Sequence, residues 1–401
     1  MLHPDYQPAT PNGHRSRPSI VPGRGSHLIK SLVAAAGITR ISDVTGLDCI
    51  GVPTFITVRP AAAAPERTFS VYNGIALTKR LARFKAVMEA WERSCAERRV
   101  EGRIFATYRE LSSDYACLHP ADSGLTNPPS EIIDWPLDWL PAENLLTGQP
   151  TYVPENQVVC PYYPTPGAVR LGPATSSGVA AGQDLEDATV RGILERIERD
   201  AVASARHTPG GRISMLDPST VPGPIKNLLV RCRQSGIGCA LRRLPAIADL
   251  PAAEAFIWDT QVHDPFLING GMSAALDPET AATRALLEAI QSRATVVNGI
   301  REDMPRRFGT DRSPAAYCAK LALALGAVVA LGEVLTWTDF CDQTTAMERA
   351  GECHPAEQLA WLLERLGSAG VRSIARIRLT NNSEPRPVVS VLVGGASDNY
   401  D

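Results

Sequence analysis

The chain has 401 residues, of which 44% are hydrophobic and 21% charged, the make-up of a soluble globular protein with room for two or three domain-sized units or one large fold. Forty Lys and Arg against 43 Asp and Glu leave a formal net charge of −3, and only 6% of residues are aromatic, which argues against a nucleic-acid partner. The most apolar run, Leu321 to Gly332, stops at Glu333, well short of the roughly 20 residues that a membrane-spanning helix needs. Nine cysteines include no C-x-x-C pair, and Met1 to Arg24 holds no apolar signal segment, so free thiols and a cytoplasmic location are expected.

In chain order, residues 1–26 read as a disordered arm rich in Pro and Gly. Leu28 to Ala36 has helical spacing, and Phe55 to Val58 reads as a strand. Small residues from Ala61 to Glu66 suggest a linker before a strand at Thr68 to Tyr72 and a long helix over Thr78 to Arg99. The prolines between His119 and Gly167 predict loops with short extended pieces such as Thr151 to Val153. A second long helix should run from Asp184 to about Ala205, with Asp184 as N-cap and Asp187 at the acidic capping-box position. Gly- and Pro-rich residues 209–224 connect it to a helix at Ile225 to Gln234 and strands at Ala255 to Asp259 and Phe266 to Ile268. A third long helix opens at Pro278 and runs to about Val297. Helical patterns at 314–326 and 355–368 and strands at 373–379 and 387–393 complete an α/β or α+β fold.

The three long helices say nearly the same thing. Ala86-Val-Met-Glu89-Ala-Trp-Glu92-Arg93, Gly192-Ile-Leu-Glu195-Arg-Ile-Glu198-Arg199 and Ala285-Leu-Leu-Glu288-Ala-Ile-Gln291-Ser-Arg293 share a small residue, two apolar residues, a Glu, another apolar residue, and Glu or Gln with Arg close behind. Residues three apart on a helix share a face, so Glu89 pairs with Glu92 and Glu195 with Glu198. One such pair is most simply a solvated surface. Three with the same apolar flanks imply turns that pack inward, where carboxylates need a metal or an arginine partner. An all-oxygen ligand set suits Mg²⁺, and arginines beside it suit phosphate.

Other motifs carry less. There is no Walker or Rossmann glycine loop. Cys353-His354 and Cys117 near His119 read as structural rather than catalytic, Ser176-Ser177-Gly178 as a polar loop, and His207 and His263 have no partner pattern.

The three helices also carry a resemblance. Gly74, Thr78, Ala82, Ala86, Glu89, Glu92 and Arg93 match the first motif of the YcaO family. Ser177 to Gly182 with Glu186, Ala188, Glu195, Glu198, Arg199 and Asp200 match the second. Arg284, Glu288, Gln291, Ser292, Arg293, Arg301, Asp303 and Met304 match the third. Upstream, Gly37 to Arg40, Thr45 to Pro53 and Arg59-Pro60 resemble the N-terminal section of stand-alone members, so the likeness spans roughly residues 28–393. The chain departs from the pattern with Ile75 and Ala76 for the Lys and second Gly of G-K-G, Lys85 for Ser, Gln183 for Asn, Asp187 for Glu, and Gly394-Gly395 for Pro-Gly.

The resemblance implies a YcaO-like α+β fold with mixed sheets, packed helices, an internal pseudo-repeat and an ATP site between the helices. Its expected division is an arm at 1–26, an N-terminal subdomain at 27–66, a catalytic domain at 67–393 and a tail at 394–401. It implies ATP and Mg²⁺ as cofactors, with Glu89, Glu92, Glu195 and Glu198 around the metal and Lys85, Gln183, Asp187, Arg199, Arg284 and Glu288 around the nucleotide. The implied reaction is ATP-dependent O-phosphorylation of a backbone amide in a ribosomally made precursor peptide, then nucleophilic attack and phosphate loss. Cyclodehydration to an azoline or amidine is the leading expectation. Backbone thioamidation with a TfuA-type partner and a non-catalytic peptide-binding scaffold are the alternatives. A fused leader-capturing domain is not expected from this sequence, so a leader-binding partner or unaided peptide recognition is, and a homodimer is in keeping with the family.

Overall fold

A computed structural model of the protein describes residues 24–60, 70–125, 128–207, 214–262, 267–299, 301 and 333–397. Helix α1 (Arg24–Ala36) leads into an antiparallel sheet of β1 (Arg40–Asp43), β2 (Thr54–Val58) and β3 (Val71–Ile75), and α2 (Lys79–Ala96) follows. Then come β4 (Ile104–Ala106), the one-turn helix α3 (Tyr108–Leu111), the hairpin of β5 (Leu137–Asn144) and β6 (Gln149–Pro154), the short β7 (Val179–Ala181), and α4 (Leu185–His207). The next stretch is β8 (Ser214–Leu216), α5 (Gly223–Gln234), β9 (Ile237–Arg243), β10 (Ala252–Asp259), β11 (Asn269–Ala274) and α6 (Pro278–Asn298). The chain ends with β12 (Val334–Leu335), α7 (Trp337–Asp342), α8 (Pro355–Ser368), β13 (Ile374–Arg378) and β14 (Val388–Val393). This is the expected α+β architecture. The second sheet has the order β4-β5-β13-β14-β7 with β6 on β5, and the third β11-β10-β9-β8-β12, antiparallel except where β12 joins β8.

The arrangement that matters for function is a ring. Strands β3, β7 and β11 each lie at an edge of their sheets. Helix α2 packs against β3 and β7, α4 against β7 and β11, and α6 against β11 and back against β3. Asn73 Nδ2 on β3 donates to Thr295 Oγ1 on α6 at 2.8 Å, closing the circle. Each helix is rooted by its apolar face in its own core: α2 through Val87, Ala90 and Trp91 beside Leu32, α4 through Ile193 and Ile197 beside Val389 and Val391, and α6 through Leu286 and Ile290 beside Ile225 and Ile257. The three polar faces are left for one another.

Glycine sets how closely strand and helix meet. A Cβ on Gly74 of β3 would fall 2.1 Å from Ala86 N, and one on Gly271 of β11 2.1 Å from Ala289 N. Gly182, just after β7, stands in the same relation to Ala188 of α4.

That contact explains two shifted strands. The expected strands stop at Tyr72 and Ile268, before Asn73-Gly74 and Asn269-Gly270-Gly271, sequences that ordinarily mark turns. In the structure both lie inside strands, because the glycines serve the helix contact rather than a reversal of the chain. The loop expectation for 119–167 also gives way, since β5 is eight residues long and accepts Pro141 in a hairpin with β6. Strands β1, β4, β7, β8, β9 and β12 were not foreseen. The helix expected to end at Arg99 stops at Ala96. The apolar run 321–332, the helix at 314–326, the linker at 61–66, His263, Asp303, Met304 and residues 1–23 of the arm lie outside the described residues. No helix among the described residues is long and apolar enough to cross a membrane.

Candidate functional site

Three side-chain caps fix where the long helices begin. Thr78 Oγ1 accepts from Leu81 N, Asp184 Oδ1 from Asp187 N at 2.8 Å, and Asp277 Oδ1 from Thr280 N at 2.8 Å. The helices are therefore in register. Glu89, Glu195 and Glu288 are each the eleventh residue of their helix, and Glu92, Glu198 and Gln291 the fourteenth.

The ring brings the carboxylates together and pins several to sheet edges. Ala181 N–H of β7 donates to Glu92 Oε2 at 2.9 Å, and Met272 N–H of β11 to Glu288 Oε2 at 2.9 Å. Glu198 accepts the Ala274 N–H of the same strand. Glu89 is paired with Arg93 at 3.1 Å, while Arg199 stands between Glu195 (3.5 Å) and Glu198 (3.6 Å). Burial pushes the Glu92 carboxyl well up, and the charges of Glu89 and Glu195 push it further. Burial, and then repulsion from Glu288 and Glu195, raises Glu198 against the pull of Arg199. Glu195 and Glu288 are raised by burial too, with Arg199 opposing. Among the described residues these five carboxylates have Arg93 and Arg199 as their ion-pair partners, an excess of negative charge that a cation would relieve.

The donor set fits Mg²⁺. Among the described residues no three acidic, His or Cys side chains already close around one point. Mg²⁺ does not require that, because it commonly keeps several waters and phosphate oxygens and takes only one or two carboxylates from the protein. Backbone N–H groups occupy Oε2 of Glu92 and of Glu288, and each carboxylate has a second oxygen that could serve a cation.

The remaining expected residues lie at the amino ends of the same helices. Lys85 and Arg284 are exposed, one turn before Glu89 and Glu288. Protein crowding, and then the guanidinium groups of Arg284 and Arg191, pull the Lys85 ammonium down to about 8. Crowding and Arg191 also lower Arg284. Gln183 is exposed beyond the start of α4. The capping box around Asp187 is offset by one residue: its Oδ2 accepts Gln183 N–H at 2.9 Å rather than that of Asp184, and its Oδ1 takes Arg191 Nε at 2.8 Å. Arg191 was not singled out from the sequence. Its signal was available, since it precedes Glu195 by four residues as Lys85 precedes Glu89 and Arg284 precedes Glu288.

The residues read as structural behave so. His119 caps a single 3₁₀ turn and His354 caps α8, both through Nδ1, and burial raises the Cys117 thiol to about 11. Gly178 follows Ser177 at φ +78°, where a Cβ would fall 2.1 Å from Val391 O, so that loop is a packed turn.

The carboxylate ring suits a divalent cation, and sequence comparison says what family of proteins builds it. The chain belongs to the YcaO family: the family model described as YcaO cyclodehydratase, ATP- and Mg²⁺-binding, matches residues 73–397. An uncharacterized protein of Methanothermobacter thermautotrophicus is 33% identical over 359 residues, covering 90% of this chain and 89% of that protein. An uncharacterized Rhizobium leguminosarum protein from the tfuA 3′ region is 26% identical over 392 residues, covering 94% and 88%. In fold, the chain is similar to YcaO from Methanopyrus kandleri, solved with AMPPCP and Mg²⁺, with a TM-score of 0.69 at 23% identity over 94% of this chain and 92% of that one.

Proposed function

We propose that the protein activates a backbone amide of a ribosomally made precursor peptide at the expense of ATP. The observation that carries this reading is the surplus of carboxylates, drawn from three helices in register, around a space bordered by Lys85, Arg191 and Arg284. Glu89, Glu92, Glu195 and Glu198 hold Mg²⁺, with Glu288 beside them. Lys85, Gln183, Asp187, Arg199 and Arg284 surround the nucleotide. Bound ATP supplies the phosphoryl group that turns the amide oxygen into a leaving group. The protein's task is mainly positioning and charge neutralisation, which phosphoryl transfer requires above all. A nucleophile then adds to the amide carbon and phosphate departs.

The family description favours a nucleophilic side chain within the peptide, hence cyclodehydration to an azoline, or to an amidine where the nucleophile is an amine. A second reading, thioamidation with external sulfide and a TfuA-type partner, is favoured by the Rhizobium relative from the tfuA 3′ region. The eight free cysteines among the described residues are in keeping with a reducing cytoplasm.

The test is incubation with Mg-ATP and candidate precursor peptides, followed by mass spectrometry. Loss of one water with matching phosphate release supports cyclodehydration. Exchange of oxygen for sulfur in the presence of sulfide supports thioamidation. Peptide binding with neither change nor ATP consumption would leave a scaffold.

A further inference from the structure

The repeat that aligns the carboxylates aligns a second set of charges. Lys85, Arg191 and Arg284 are each the seventh residue of their helix, four before the first Glu. Four residues are about 6 Å of helix rise, so the ring of three helices carries a layer of cations next to its layer of carboxylates. The closed ring of helices and edge strands brings this layer together, and the charges of Arg284 and Arg191 act on Lys85 while Arg284 faces Arg191 as well as Asp277, Asp187 and Glu198. Arg191 is held by Asp187 through its Nε alone, at 2.8 Å. Among the described residues, Lys85 and Arg284 make no hydrogen bond or ion pair at all. Like charges brought together without partners cost folding free energy unless an anion joins them.

We propose that Lys85, Arg191 and Arg284 form a cationic collar that grips the polyphosphate chain of the nucleotide, with Asp187 as the positioning residue that aims Arg191. The collar rests on the nucleotide reading above and adds to it a residue, Arg191, and a division of labour. The carboxylate layer takes the metal, and the collar takes phosphate oxygens on its amino-terminal side. It also accounts for the residue at 75. Where the family motif has lysine, Ile75 is 4% exposed and packed into the core beside α6, so it can supply no charge. Lys85 and Arg191 supply charge from the helix surfaces instead. Asp187, with both oxygens already accepting, acts on Arg191 rather than on a metal ion.

The test uses calorimetric titration of the full chain with Mg-ATP, Mg-ADP, AMP and inorganic tripolyphosphate. Wild type should bind ATP and tripolyphosphate and discriminate strongly against AMP. Lys85→Met and Arg191→Gln should each weaken ATP and tripolyphosphate by about tenfold or more, as expected for loss of a charge-assisted contact, and leave AMP nearly unchanged. Arg191→Lys should keep most of the affinity, and Asp187→Asn should fall between Arg191→Gln and wild type. The melting temperature of unliganded Lys85→Met should hold or rise, because repulsion is removed, which separates a binding role from a folding one. Unchanged ATP-to-AMP discrimination in Lys85→Met and Arg191→Gln, with ATP binding lost in Glu195→Ala, would overturn the collar and leave the nucleotide reading standing. A wild type that binds neither ATP nor tripolyphosphate would overturn both.

Discussion

The protein buries charge in two contrasting ways. On β9 and β10, Arg242 and Glu254 face each other at 2.5 Å, each side chain 7% exposed, with the guanidinium 4.4 Å over the Phe256 ring. At the carboxyl end of α6, Arg293 bridges Asp48 (3.0 Å) and Asp259 (3.5 Å). In both places opposite charges meet directly. Along α2, α4 and α6 like charges gather instead: the carboxylates of Glu89, Glu92, Glu195, Glu198 and Glu288 outnumber the arginines they are paired with, and one turn earlier the exposed Lys85, Arg191 and Arg284 lie within reach of one another's charge. Paired burial holds sheets and helices to one another. Crowding of like charge with too few counter-charges stores a free-energy cost that a ligand of opposite charge can relieve, which is why perturbed groups mark functional sites.

The contrast can be broken most severely on its structural side. Arg293→Met leaves Asp48 buried with no cation, and urea unfolding should show a loss of about 3–5 kcal/mol. Gly271→Ala should cost about 1–3 kcal/mol, because its Cβ would meet Ala289 N and force β11 from α6. It should also loosen Glu288 from the Met272 N–H, and so weaken Mg-ATP binding beyond what the stability loss explains.

Substitutions on the functional side should have the opposite sign. Glu92→Gln can still accept the Ala181 N–H while shedding its charge, so the ligand-free protein should unfold at a higher urea concentration than wild type at neutral pH. A carboxyl whose folded pKa is raised loses stability as pH climbs past its unfolded value, so the gain over wild type should shrink as pH falls towards 4.5. The same variant should lose Mg-ATP-dependent stabilisation.

The smallest effect concerns Lys85. A lysine whose pKa is lowered in the folded state carries its full penalty below about 8 and sheds it as pH rises towards 10.5. The melting-temperature difference between Lys85→Met and wild type, measured without nucleotide, should therefore be constant below pH 8 and narrow above it. With nucleotide, the advantage of wild type should fade over the same alkaline range.

Much of the site was legible because the signal was periodic. Glu89, Glu92, Glu195, Glu198 and Glu288 repeat at fixed distance from apolar flanks, and helical spacing turns that repetition into a shared face. The cation four residues earlier was equally periodic, but Arg191 lay outside the stretch compared. Strands β3 and β11 were displaced because Asn-Gly has two physical meanings, a tight turn or a close approach, and only the packed helix decides between them. Strand β5 was hidden by Pro136 and Pro141, which a hairpin tolerates where its ladder permits. The capture of Glu92, Glu198 and Glu288 by sheet-edge N–H groups joins residues far apart in the chain, and no local pattern announces it.

The most direct test of the central claim is calorimetric titration of Mg-ATP into the wild type and into Glu195→Ala. Saturable, Mg²⁺-dependent binding to wild type that vanishes in Glu195→Ala is the expected result, and it would locate the nucleotide among the three helices. Equal binding to both proteins would contradict the account and send the nucleotide elsewhere.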